Sequence, residues 1–336
     1  MDLLIKVIAF IVIFGSVVLL HELGHFIVAK LNGIEVREFM IGFGPKLFKV
    51  QGKETEYSIR LIPLGGAVVM IGEDEFDDSP RSYSNKPIWR RLLVLVAGPM
   101  MNFILAIILF FTAFTVNGIA TNKVTALLPD MPAIEAGMMA GDIIRSIDEK
   151  EIKDWQSVIN TVSDSKGREL KIVVERGGET KEFRITPKLD PQTSRYVIGV
   201  RSSETSPGNS FKVAWNQTWD LAYRTMVFIP KMFVEPELLD QVSGPVGIAS
   251  IIGQSTEQGI WALVYLTALI SISLGVFNLL PIVPLDGGKM FLLFIELIIR
   301  RPLNEKFEKY VSYAGLLFVI GLMILATYKD IVKLVR

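Results

Sequence analysis

The sequence predicts a polytopic α-helical membrane protein with about four transmembrane helices, a membrane-associated β element and one small α/β domain outside the membrane. Three observations lead there. Half of the 336 residues are hydrophobic and only 21% are charged, against roughly 25% in an ordinary soluble protein, and the mean hydropathy is +0.42. Four stretches reach or approach the about 20 apolar residues that a helix needs to cross the hydrocarbon core. Between them lie a glycine-rich segment with strand periodicity and a segment in which charges return.

The first span covers 3–29 and is apolar apart from Lys6 and the pentapeptide His21-Glu22-Leu23-Gly24-His25. The second is uncharged over 92–122 and the third over 258–285, and the fourth has 19 uncharged residues over 310–328. A shorter run, 290–299, is interrupted by Glu296 and fits a buried or interfacial segment. A secretory signal peptide is the rival reading of the first span, but residues 1–4 offer no cationic n-region and no small-residue cleavage site precedes the pentapeptide. Lys and Arg cluster from Lys30 to Arg91 and again from Arg300 to Lys309. By the positive-inside rule both loops are expected in the cytoplasm, with both termini and residues 120–257 on the outer side.

The expected order is a first transmembrane helix over 1–32, a cytoplasmic or membrane-dipping β region over 33–90 and a second helix over 91–119. An α/β domain over 120–205 and an interfacial amphipathic region over 206–257 follow. A third helix over 258–290, a cytoplasmic segment over 291–309, a fourth helix over 310–329 and a tail over 330–336 complete it.

Within 33–90, Glu56-Tyr57-Ser58-Ile59-Arg60-Leu61-Ile62 alternates polar with apolar, and Pro63-Leu64-Gly65-Gly66 reads as a turn. This region is either a small cytoplasmic hairpin or a sheet dipping into the membrane, which is tolerated only where its backbone is buried in protein or lines a cavity. The acidic stretch 73–78 reads as a solvated loop. Within 121–203, the strands 171–176 and 183–185 flank a Gly177-Gly178 turn, and 155–162 reads as a helix. Over 208–235, Phe211, Trp215, Trp219, Tyr223, Phe228 and Phe233 stand among charges, which suggests a helix at the outer membrane surface.

Composition narrows the chemistry. Lys plus Arg and Asp plus Glu balance at 35 each, so no net field draws nucleic acid. Zero cysteines exclude disulfides, Cys-ligated zinc and thiol catalysis. The two histidines both lie in the pentapeptide. Four apart on a helix, His21 and His25 share a face and both reach one metal, while Glu22 beside them suits a general base. Ionisable residues in an otherwise lipid-grade helix cost roughly 3 kcal/mol or more and point to function.

Catalytic zinc takes three protein ligands and an open position. With no third histidine, the remaining ligand must be a carboxylate. Asp286 closes the third uncharged span, where Pro281, Pro284 and the following glycines break the helix and let the carboxylate turn inward. The competing role for Asp286 is an N-cap for a helix starting near Lys289. Asn278 suits a hydrogen bond to a substrate backbone or oxyanion, or equally a helix–helix contact. From another class, a transporter or receptor would bind a metal or ion without hydrolysis; a neighbouring base such as Glu22 serves hydrolysis and not transport.

Two resemblances add to this reading. Residues 136–147 with Ile152 resemble the PDZ-domain signature, a Gly-Asp turn before a strand. The pentapeptide together with Asn278-Leu279-Leu280-Pro281-Ile282-Val283-Pro284-Leu285-Asp286-Gly287-Gly288 resembles the site-2 protease family of intramembrane metalloproteases, whose bacterial branch includes the regulator-of-sigma-E proteases. Gly42-Phe43-Gly44-Pro45, Pro63-Leu64-Gly65-Gly66, Ala97-Gly98-Pro99-Met100-Met101-Asn102 and Gly244-Pro245-Val246-Gly247-Ile248 are similar to further family stretches. The resemblance implies Zn2+ at His21, His25 and Asp286, Glu22 as base, and Asn278 with Asn102 holding substrate. It implies that residues 38–70, with Gly65 and Gly66, receive substrate as an added strand. The implied substrates are pre-trimmed, single-span membrane proteins such as anti-sigma factors or signal-peptide remnants. The implied setting is a bacterial plasma membrane with the PDZ-like domain outside the cytoplasm. One departure stands out: a single PDZ-like domain is present, where some relatives carry two.

Overall fold

Long apolar runs have one way to satisfy their backbone in lipid, namely helix, and the first element is of that kind. α1 (Asp2–Leu31) is followed by strands β1 (Val36–Gln51) and β2 (Glu56–Met70) and by α2 (Ile88–Asn117). Next come β3 (Ala126–Leu127), α3 (Pro132–Glu135), β4 (Ile143–Ile147), β5 (Lys150–Glu151) and α4 (Trp155–Asp164). Strands β6 (Leu170–Arg176), β7 (Glu179–Ile185), β8 (Lys188–Asp190), β9 (Arg195–Val197) and β10 (Val200–Arg201) follow. Helices α5 (Pro207–Val234), α6 (Pro245–Gln258), α7 (Ile260–Asn278), α8 (Asp286–Ile299) and α9 (Glu305–Val335) end the chain. This computed structural model describes residues 2–73, 77–191, 193–235, 237–238, 242–301 and 303–335; positions 74–76 of the acidic stretch lie outside them.

Among the described residues, four helices are long and apolar enough to cross a membrane: Leu3–Leu31, Ile88–Asn117, Ile260–Asn278 and Lys306–Lys333. Their outer faces carry large exposed apolar side chains, among them Leu4, Ile108, Leu317 and Ile324. Water would penalise that surface and lipid does not.

Residues 1–110 and 214–336 form one compact unit and Phe111–Val213 another. In the first, α1 packs against β2, α6 and α7. The sheet formed by β1 and β2 is more folded than a simple hairpin. Residues 38–41 pair with 66–69 on one side and with 56–59 on the other, and 56–60 pair in addition with 46–51. The segment 66–70 is therefore an outer edge, pairing among the described residues only with 36–41. Pro63-Leu64-Gly65-Gly66, read from sequence as a turn, lies inside β2. The chain switches partners there, and Gly65 takes φ +97, a conformation that a side chain would strain.

α7 ends at Asn278 because Pro281 and Pro284 cannot continue it, and α8 restarts directly after them. Two ion pairs fix α8. Glu296, 8% exposed, accepts from Arg91 of α2 at 2.9 Å and from the Leu303 N–H at 3.1 Å. Lys289 meets Glu73 at 2.7 Å. The aromatic helix α5, expected from sequence at the membrane surface, packs Trp219 on Phe103 of α2 with ring centroids 5.1 Å apart, and Gln217 donates to Tyr265 of α7 at 3.0 Å.

The second unit is an α/β domain with a four-stranded sheet in the order β5-β4-β6-β7. Ile144, Ile147, Leu170, Ile172 and Val174 of that sheet are buried with Val158 and Val162 of α4. Asp154 caps α4 by accepting from the Ser157 N–H at 2.7 Å. β6 and β7 turn on Gly177-Gly178, both at positive φ as a two-residue hairpin turn demands.

Asp142, fully buried, accepts from Arg176 Nε at 2.6 Å and Nη2 at 2.8 Å and from the Met139 N–H at 2.9 Å. Burial pushes its carboxyl up, but the Arg176 guanidinium and the Met139 N–H outweigh burial and hold it below the ordinary carboxylate value. A carboxyl depressed in the folded state stabilises fully above its ordinary pKa, and the gain is lost as pH falls below about 4. Asp142→Asn is therefore expected to lower protection of β4 and β6 in the full chain by about 3 kcal/mol at pH 7, and by less at pH 3, below the ordinary carboxylate value. Hydrogen exchange reads this out; an equal loss at both pH values would remove the ion pair as its cause.

Candidate metal centre

α1 is one continuous helix through the pentapeptide, so His21 and His25 leave the same face one turn apart. Their rings meet edge to face with centroids 4.8 Å apart and Nε2 atoms 3.2 Å apart. Asp286, the first residue of α8, brings Oδ2 to 3.2 Å from His21 Nε2 and 3.4 Å from His25 Nε2. Three donor atoms thus form a nearly equilateral triangle. In a tetrahedral zinc site with bonds of about 2.0–2.1 Å, neighbouring ligand atoms stand about 3.3 Å apart.

The fit is supported by what these atoms do not do. Asp286 Oδ2 is buried and forms no hydrogen bond despite its two histidine neighbours, which leaves it available as a metal donor. Nor does Asp286 cap α8: the N-cap is Leu285, with no side-chain bond. The sequence alternative of a capping role is not what the fold uses.

The second helix walls the site. Val94 O lies 2.8 Å from His25 Nδ1. A carbonyl only accepts, so Nδ1 carries the hydrogen and Nε2 keeps a lone pair for a metal. One turn on, a Cβ on Gly98 would stand 2.3 Å from His25 Nε2 and 2.8 Å from His21 Cε1; any side chain there would fill the space in front of the donors. The helices touch to allow this, since a Cβ on Gly24 would meet Ala97 O at 2.4 Å. A further turn on, Asn102 Nδ2 stands 3.2 Å from His21 Nδ1. Asn278, at the end of α7, places Nδ2 3.3 Å from His21 Nε2.

The sheet reaches the same place. Gly66 lies against Glu22, whose Cγ would be 3.1 Å from a Cβ there, and Gly65 lies against the Phe43 ring. The structure therefore gathers His21, His25, Asp286, Asn102 and Asn278, with Glu22 bordered by Gly66. Sequence reasoning gave no role to Val94, which acts through its backbone, or to Gly98, which stood out only as part of the stretch 97–102 that is similar to the family.

Comparison with known proteins settles the class. Residues 9–322 match peptidase family M50. The chain belongs to this family. A Clostridium perfringens protein whose name carries the words zinc metalloprotease is 38% identical over 323 residues, spanning 95% of this chain and 96% of that one. The regulator of sigma-W protease RasP of Bacillus subtilis is 31% identical over an alignment of 415 positions, covering 98% of each chain. That alignment is longer than the 336 residues here, so the Bacillus protein carries inserted sequence. The zinc metalloprotease RasP of Bacillus licheniformis is also 31% identical, covering 98% of this chain and 99% of that one. The PDZ domain of the SdrC-like protein of Listeria innocua is a solved structure 27% identical, covering 26% of this chain and 97% of that one, with a TM-score of 0.23.

This M50 peptidase is a zinc metalloendopeptidase of the site-2 protease type. Membership in a peptidase family decides against the transporter or receptor alternative. With four helices fit to cross a membrane, it is a multi-pass membrane protein.

Proposed function

We propose that this peptidase hydrolyses transmembrane segments of single-span membrane proteins, with His21, His25 and Asp286 holding the zinc and Glu22 as general base. One observation carries the reading: two of the three converging donors stand on α1, a helix long and apolar enough to span a bilayer. Zinc, when bound, supplies a Lewis acid that polarises a carbonyl and acidifies water. Glu22 takes the proton of the attacking water at its carboxylate and returns it to the leaving nitrogen. Asn278 points an amide at the same space and suits the developing oxyanion.

A transmembrane helix has its carbonyls hydrogen-bonded and must unwind before water attacks. The outer edge 66–70 offers an unwound segment a strand to pair with, and Gly66 keeps that edge beside Glu22. New strand bonds offset the lost helix bonds.

The Bacillus subtilis relative is named as a regulator of sigma-W protease, which favours membrane-held anti-sigma factors as substrates, with signal-peptide remnants as a second group. We place the chain in a bacterial plasma membrane with the loops at 30–91 and 300–309 in the cytoplasm, on their Lys and Arg content. The PDZ-like domain then lies outside and excludes substrates with bulky outer domains, so that pre-trimmed stubs enter.

Quantitative proteomics of membranes from cells carrying wild type or Glu22→Gln tests the substrate class. Short membrane-spanning fragments, already cut on one side, are expected to accumulate with Glu22→Gln and vanish with wild type. Identical fragment patterns, with soluble peptides cleaved instead, would replace the substrate class and leave the zinc peptidase intact.

A further inference from the structure

The two histidines face the metal space through Nε2, so each ring must dispose of a buried Nδ1. For His25 the Val94 carbonyl does this. For His21 the nearest partner is Asn102, which is 0% exposed; Asn278 Nδ2 stands farther from that Nδ1, at 3.5 Å, and nearer Nε2, at 3.3 Å. As placed, Asn102 sets Nδ2 3.2 Å from His21 Nδ1 and leaves its own Oδ1 buried without a partner. Two nitrogens face each other there. If Nδ2 donates, Nδ1 is the acceptor, and the single imidazole hydrogen moves to Nε2, where it blocks the metal. An asparagine amide has nitrogen and oxygen of nearly equal size, and which end points where is settled by the hydrogen bonds around it. A half-turn of this amide puts Oδ1 against Nδ1–H and frees the Nε2 lone pair.

We propose that Asn102 is the positioning residue of His21: its amide oxygen accepts the Nδ1 hydrogen, fixing both the tautomer and the ring plane. This rests on the reading of His21 as a zinc ligand. It replaces the substrate-holding role expected for Asn102, because a side chain with no exposed surface cannot meet an incoming strand. The backbone supports the placement, since Ser271 of α7 donates to the Asn102 carbonyl at 2.8 Å. Residues 94, 98 and 102 lie four apart on one face of α2. They supply in turn an acceptor for one histidine, empty space for the metal, and an acceptor for the other histidine.

Zinc affinity of the purified full chain, measured by competition with a chelator, tests this apart from activity. Asn102→Leu keeps the branched shape of the side chain and lacks an acceptor; zinc is expected to bind about 10–100-fold more weakly. Asn102→Asp keeps an acceptor and is expected to hold zinc at least as tightly as wild type. A substrate-holding role makes the opposite forecast, namely a raised KM with zinc affinity unchanged. Wild-type affinity in Asn102→Leu overturns the proposal, as does looser zinc in a folded Asn102→Asp, which decides alone if the leucine variant does not fold. His21→Ala is measured alongside. If it keeps full affinity the ligand reading itself fails, whereas a drop there without one in Asn102→Leu confines the failure to Asn102.

Discussion

Replacing Glu22 by glutamine is expected to abolish peptide hydrolysis while leaving zinc bound. Glu22 adjoins His21 on α1 but is not among the three converging donors. Glutamine keeps the shape of the side chain and its helix propensity, so α1 and its packing against Gly66 are preserved. What it loses is a carboxylate able to take a proton. A positioned general base is worth about 10²–10⁴ in rate, or roughly 3–5 kcal/mol of barrier. Because proton transfer occurs only on the way to the transition state, the loss should fall on kcat and leave KM nearly unchanged. Steady-state cleavage of a transmembrane peptide by detergent-purified protein, with elemental analysis of the same sample, measures both. A wild-type kcat in zinc-loaded Glu22→Gln would remove Glu22 from the reaction.

Much of the architecture was legible because lipid imposes a coarse rule. A helix exposed to hydrocarbon needs a long, mostly apolar run, and 3–29, 92–122, 258–285 and 310–328 stand out by that measure alone. The His21–His25 spacing was legible for a similar reason, since a helical period of 3.6 puts them on one face. Other features act through geometry that residue types do not encode. The Pro63–Gly66 stretch has the composition of a turn, yet it sits within β2 because residues 38–41, already paired with 56–59, take 66–69 as a second partner. The aromatics of α5 have the composition of an interfacial belt, but Trp219 is used against Phe103. The Val94 carbonyl has no signature in any sequence, because every residue carries one. Asn102 stood out only through the resemblance of the stretch 97–102 to the family, and which of two jobs it does depends on burial, a property of the fold.

The same distinction separates the three donors from their supports and gives the remaining large effect. Asp286→Ala is expected to empty the site. A structural zinc site with four protein ligands is worth about 10–16 kcal/mol, so one ligand carries about 3 kcal/mol, or at least ~10² in affinity. Two histidines alone then hold the ion too weakly to survive purification. The cost to the fold itself should be small. Asp286 makes no capping bond, and its contribution to the first turn of α8 is the about 0.3–1 kcal/mol of a carboxylate at a helix N-terminus. The loss of activity in Asp286→Ala therefore comes with loss of metal and without loss of structure, the reverse of the Glu22→Gln pattern of full metal and no turnover. Elemental analysis and thermal melting of the two purified variants side by side read out both patterns. An Asp286→Ala protein that retains one zinc per chain and cleaves normally would show that the third ligand lies elsewhere.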